Sequence, residues 1–186
     1  MDMIRKPLFS LAMISVLLAP AALAASEIQF GAVEVSDEKL RVNLMVGSYQ
    51  GQDIVEAIKR GIEVKLMFEI QVYRPAAFFL LGNKVDFDRI IRRTVKYDFW
   101  TKSFVVVEGR KSVSFQSENA MIEYFFSVKD YDVVDISMIK SQGYAIRARA
   151  ELTSVELYFP MSLIFKYMVG FWNFDTGWEY GPKLDY

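Results

Sequence analysis

The stretch Ile62-Glu63-Val64-Lys65-Leu66-Met67-Phe68-Glu69-Ile70-Gln71-Val72-Tyr73-Arg74-Pro75 decides the fold. From Ile62 to Tyr73 it alternates without a break. Ile62, Val64, Leu66, Phe68, Ile70 and Val72 fall on one side, and Glu63, Lys65, Met67, Glu69, Gln71 and Tyr73 on the other. A period of two over this length is the signature of a strand with one dry and one wet face. At about 3.3 Å per residue the strand crosses most of a small domain. Pro75 ends it, because proline has no N–H to give to a ladder.

The same alternation recurs through the chain. Ile28–Val35 and Leu40–Val46 read as short strands joined by the turn Ser36-Asp37-Glu38-Lys39. Val85–Tyr97 reads as a second long strand, with a bulge where the alternation slips at Ile90-Ile91. Its arginines Arg89, Arg92 and Arg93 read as a solvated face paired with Glu63 or Glu69. Ser103–Val107 and Ser112–Phe115 form a hairpin around Gly109, and Tyr144–Thr153 is a third long strand whose Arg147 and Arg149 suit the wet face of the first. Asp130–Ser141 reads as acidic loop.

Two helices are expected to lean on these strands. One opens at Asp53 as N-cap and stops at Gly61; the other opens at Ser117 and carries Ala120, Met121, Tyr124, Phe125 and Val128 at helical spacing. A third, Met161–Trp172, is the most apolar part of the chain beyond residue 24 and is expected to dock on the domain. The tail Trp172–Trp178 reads as a last strand. The expected class is therefore α+β with β dominant: a mostly antiparallel twisted sheet or sandwich with two or three short packed helices.

The first residues carry Arg5 and Lys6, an apolar run Leu8–Leu18 and the small-residue site Ala22-Leu23-Ala24. This is the pattern of a secretory signal peptide over residues 1–24, followed by a single β-rich domain over 25–186. The apolar run falls well short of the roughly 20 residues a transmembrane helix requires. Removal of Asp2, Arg5 and Lys6 leaves 20 positive against 22 negative charges. So even a balance argues against nucleic acid as partner. The chain has no cysteine, so packing alone must hold an exported domain.

Histidine is absent as well, which removes the commonest general bases, thiol nucleophiles and zinc sites. No phosphate-cradling glycine loop is present. The acids Asp86, Asp88, Asp130, Asp132 and Asp135 do not follow a calcium-loop spacing and read as solvated surface. The reading is a protein without catalytic residues, metal or cofactor. Its candidate contacts with a partner or ligand are the apolar residues Phe78, Phe79, Leu80 and Leu81, together with Phe171 and Trp172; burial in the domain is the competing fate of both segments.

Tyr73-Arg74-Pro75, Tyr97-Asp98, Ser114-Phe115, Gly143-Tyr144, the Leu157–Pro160 junction and Trp172-x-Phe174-x-Thr176-x-Trp178 occur in an order that resembles an exported bacterial family, domain of unknown function 4390. The resemblance covers Val33 to Trp178. It implies an envelope protein, expected in the periplasm, and associates it with sensor-kinase systems as a protein-binding or signalling accessory. It brings no catalytic residue or cofactor. A carrier of an apolar or lipid ligand is the alternative, and a carboxylate-based hydrolase the third reading.

Overall fold

The computed structural model describes residues 26–76, 82–139, 143–154 and 173–184. Strand β1 (Glu27–Ser36) turns into β2 (Lys39–Gly47), and α1 (Gly51–Lys59) leads to the long strand β3 (Val64–Arg74). Then come β4 (Lys84–Asp98), β5 (Ser103–Glu108), β6 (Lys111–Phe115), α2 (Glu118–Phe126) and β7 (Ser127–Asp135). A 3-10 turn at Ile136–Met138 precedes β8 (Tyr144–Ser154), and the chain closes with β9 (Phe174–Asp175) and β10 (Glu179–Leu184).

Among the described residues every strand pair is antiparallel, in two sheets. The larger runs β10-β8-β3-β4-β5-β6, with β9 beside β10 on the edge of β8; the smaller runs β1-β2-β7. The opening stretch is thus the central strand of the larger sheet, paired with β4 along one side and β8 along the other. Its dry residues Val64, Leu66, Phe68, Ile70 and Val72 are all buried. They pack into one core with Leu40, Val42, Leu44 and Val46 of the smaller sheet and with Ile54, Ile58, Met121 and Phe125 of the helices. The result is an α+β, β-dominated fold, as the alternation indicated.

Local chemistry explains the connections. Asp37 and Glu38 both have positive φ, the backbone that a two-residue hairpin turn needs to match strand twist. Gly61, at φ +89°, ends α1. Asp98 Oδ1 accepts from the Trp100 and Thr101 amides and shapes the turn from β4 to β5.

Four expectations need correction, besides the placing of Val128 on the second helix, which ends at Phe126 and leaves Val128 in β7. Helix α1 starts at Gly51 behind Gln50, and Asp53 stands in its first turn without a side-chain cap; Ile54, Val55, Ala57 and Ile58 give it its buried face. The acidic stretch after Asp130 is not a loop at its start, because Ser127–Asp135 form β7. Its Val128, Val133 and Val134 are buried, but two register shifts against β2 break the alternation. The irregularity in the β3–β4 pair lies not at Ile90-Ile91 but between Val72 and Tyr73, where Asp86 is the extra residue of β4.

The fourth concerns β4, where Arg89 and Arg92 are exposed as a solvated face requires but Arg93 is buried, and none of the three pairs with Glu63 or Glu69. Regular pairing puts Arg89 opposite Ile70 and Arg93 opposite Leu66, on the core side. Arg93 is 6% exposed. Its Nε donates to Glu108 at 2.6 Å, and its Nη1 donates to the backbone carbonyls of Tyr124 and Ser127 where α2 ends and β7 begins. Arg89 Nε donates to the Val133 carbonyl at 2.8 Å. Both tie the larger sheet to the segment that crosses to the smaller one.

Candidate functional site

The second face of β3 carries the site. Near its start this face is wet, with Lys65 exposed and Met67 half-buried, but Glu69, Gln71 and Tyr73 are 8%, 8% and 6% exposed. What covers them comes from β8 and the C-terminal strands. The register sets Arg149 opposite Glu69 and Arg147 opposite Gln71. Arg149 Nε donates to Glu69 Oε2 at 2.7 Å. Gln71 Nε2 donates to Glu69 Oε1 at 2.8 Å, and Arg147 gives both Nε and Nη2 to Gln71 Oε1, at 3.0 and 2.7 Å. The four side chains form one continuous polar ladder.

Aromatic rings then cap the ladder. Thr176 extends the pairing on β8: its N–H donates to the Ala150 carbonyl, and its hydroxyl accepts from the Ala150 amide. Gly177, at φ +68°, follows as a left-handed turn, and Trp178 lands over the two arginines. The Arg147 guanidinium lies 4.3 Å from the Trp178 ring and 5.2 Å from the Tyr73 ring, and Arg149 lies 5.1 Å from Trp178. Tyr180, 61% exposed, meets Tyr73 edge-on at 6.3 Å.

The two arginines of this face have different partners. Arg149 and Glu69 form an ion pair, and the carboxylate raises the guanidinium pKa above its ordinary value. Among the described residues Arg147, in contrast, has only an amide oxygen as hydrogen-bond acceptor, and no carboxylate lies within salt-bridge distance of it. A half-buried cation beside two rings and with a neutral partner keeps donors that an anion can use, since Arg presents five donors in a fixed plane.

A second cluster closes the far end of the β3–β4 pair. Asp86, at the bulge, accepts from Arg74 Nε at 2.7 Å and from the Tyr144 hydroxyl at 2.9 Å, with Lys84 Nζ at 3.7 Å. The Arg74 hydrogen bond, followed by that from Tyr144, holds its carboxyl below the usual aspartate value. Asp86 is therefore an ion-pair hub rather than the solvated acid its sequence context suggests. Asp132 is likewise engaged, with Lys39 at 2.8 Å and Arg41 at 2.9 Å.

The candidate contacts Phe78, Phe79, Leu80, Leu81, Phe171 and Trp172 lie outside the described residues. The residues that flank them are described. Residues 77–81 join the chain beside the Arg74–Lys84 pair, whereas residues 155–172 join it where Ser154 pairs with Val64; there the Ser154 amide donates to Asn173 Oδ1 at 3.0 Å. The two segments therefore enter at opposite ends of β3. The ladder, and not these segments, is what the described residues bring together. Its signal lay in the Arg147 and Arg149 alternation and in the indole of Trp178, but the neutral partner of Arg147 could not be read from the pattern.

These features define an antiparallel two-sheet domain with a cation–aromatic ladder on the outer face of its larger sheet. A family model described as Domain of unknown function (DUF4390) matches residues 24–180, and the chain belongs to that family. No curated protein and no solved structure shows a significant match. Of the short marks that carried the resemblance, Tyr73, Thr176 and Trp178 meet at the ladder, and Arg74 and Tyr144 meet at Asp86. Among the described residues no helix is long and apolar enough to cross a membrane.

Proposed function

We propose that this chain is an exported, non-enzymatic protein-binding domain of the bacterial envelope, working in the periplasm as an accessory to a signalling system. The observation that carries the reading is Arg147, close to the rings of both Trp178 and Tyr73 and with a neutral hydrogen-bond partner. Arg, Trp and Tyr are the side chains that most often dominate the energy of protein interfaces. Here they are pre-ordered on a sheet, so little side-chain entropy is lost when a partner docks. The engagement of Glu69, Asp86, Glu108 and Asp132 with basic side chains favours binding over carboxylate catalysis.

The test places a photo-crosslinking residue at the exposed Tyr180 position, in cells that export the protein. Wild type is expected to capture a defined partner, and Arg147→Ala and Trp178→Ala to lose it while keeping their fold. A capture pattern identical in all three proteins rejects the outer face as the recognition surface. Phe78→Asp, made in parallel, tests the apolar segment near Arg74. Cleavage after Ala24 is checked by the intact mass of the exported protein; an uncleaved mass replaces the released domain by one tethered through residues 1–24.

A further inference from the structure

A sheet edge is a row of unpaired amides and carbonyls, and native proteins blunt such edges with bulges, prolines, charges or cover. Among the described residues this fold has four edges, and three are blunted. β1 carries a register shift between Phe30 and Val33 against β2. β7 carries two, and Asp130 within it has φ +48°. β10 shifts register between Tyr180 and Lys183, contains Pro182, and has Gly181 pressed against Phe30 and Ile146.

β6 is different. It pairs with β5 in unbroken register from Phe104↔Phe115 to Glu108↔Lys111. It has no proline, its only charge is at its first residue, and Lys111, Ser112, Val113 and Ser114 are all exposed. No described strand occupies its outer side. Its two faces also differ. Val113 and Phe115 lie on the side of the buried Val106 and Phe104, where Phe115 touches Tyr124 of α2 at 5.2 Å, whereas Ser112 and Ser114 lie on the outer side.

We propose that β6 is a strand-addition site that takes an extended, proline-free segment of a partner polypeptide as the next strand of the larger sheet. Main-chain hydrogen bonds supply the affinity in this mode, and alternate side chains supply the selectivity. The occupant carries an apolar residue opposite Val113, which covers a side chain 37% exposed, and a carboxylate opposite Lys111. Small polar residues face Ser112 and Ser114. A partner segment fits better than a second copy of this chain, because antiparallel self-pairing centred on Val113 would set Lys111 opposite Phe115 and supply it no carboxylate. The site stands apart from the outer-face ladder and does not depend on it.

The probe is a capped peptide with the core Leu-Thr-Val-Thr-Glu, set antiparallel to Phe115–Lys111. A control peptide replaces the central Val with Pro. Backbone amide exchange is followed by NMR on the purified full chain. At saturating peptide the solvent-facing amides of Ser112–Phe115 are expected to slow about tenfold or more, while those of β3 stay unchanged. The proline peptide is expected to do nothing. Val113→Lys abolishes the response, and Lys111→Glu moves the preference to a peptide ending in Lys. Three results overturn the proposal: no slowing at millimolar peptide, equal slowing with the proline peptide, or protection of β6 that needs no peptide and tracks a dimer mass.

Discussion

Replacing Arg93 by alanine tests the packing logic of the fold most directly. The Arg93 side chain is 7% exposed and its ion-pair partner Glu108 31%. Breaking a fully buried pair from one side costs about 3–5 kcal/mol, because a charge stays behind without its partner. Glu108 retains contact with water, so its share is smaller here. Against that, the carbonyls of Tyr124 and Ser127 lose their donor, at about 1 kcal/mol each. The guanidinium also leaves the faces of Tyr124 and Phe68, 4.7 and 5.8 Å away. Arg93→Ala is therefore expected to cost ~3 kcal/mol. With a urea m-value of about 2 kcal/mol/M, the unfolding midpoint drops by about 1.5 M. Arg93→Lys keeps the charge but lacks the planar fork that serves Glu108 and two carbonyls at once, and is expected to recover less than half of the loss. Equilibrium urea unfolding followed by circular dichroism reads both variants. A loss below about 1 kcal/mol for Arg93→Ala at unchanged m would refute the idea that this residue joins the two sheets.

Three further outcomes follow from named contacts. A Cβ on Gly181 would sit 2.7 Å from Ile146 Cγ2 and 2.8 Å from Phe30 Cε1, so Gly181→Ala is expected to cost about 1–3 kcal/mol in the same assay; a neutral result would mean that β10 does not press on β1. Trp178→Ala removes the ring stacked on Arg147 and Arg149 and is expected to cost ~1–2 kcal/mol, with a smaller red shift of protein fluorescence on unfolding; an unshifted urea midpoint argues against the stack. Asp86 has its pKa lowered when folded, so in acid the unfolded chain binds the extra proton. Its stabilising share is complete above the ordinary aspartate value near 3.8 and fades as pH falls through the folded value. Asp86→Asn should flatten the acid limb of the stability curve, and an unchanged limb would remove Asp86 from the account.

What could be read from sequence follows from what an alternating pattern encodes. Period two reports which residues share a face, and it placed β3, β8 and the β1–β2 and β5–β6 hairpins correctly. It does not report whether the second face is covered. Glu69, Gln71 and Tyr73 look like a solvent face in isolation, yet residues about 100 positions later in the chain roof them. Arg93 shows the opposite failure. Strict parity along Arg89, Ile91, Arg93 and Val95 puts it inside, and the pairing with β3 is regular there. The expectation that arginines seek water overrode that parity, although a guanidinium can be buried when a carboxylate and helix-end carbonyls receive its protons. β7 was hidden for a third reason. Its bulges interrupt the period, so an acidic and irregular sequence conceals three buried valines.

The outer face and the β6 edge are the places to look for function among the described residues. Every buried side-chain polar atom among the described residues has a partner, so the interior holds no unmet chemistry. Unmet capacity sits at the surface in two forms. One is a cation whose acceptor is neutral, at Arg147; the other is a regular strand edge without a neighbour among the described residues, at β6. Both are built on the larger sheet, whose central strand is held on both sides over its whole length. A rigid platform with recognition groups fixed on its face and edge suits binding with little reorganisation. A partner that touches both Arg147 and β6 must span β3, β4 and β5 between them, which is about 19 Å at the spacing of adjacent strands. Crosslinks from Tyr180 and from Val113 to one and the same polypeptide would show such bridging, and crosslinks to different polypeptides would make the face and the edge separate sites.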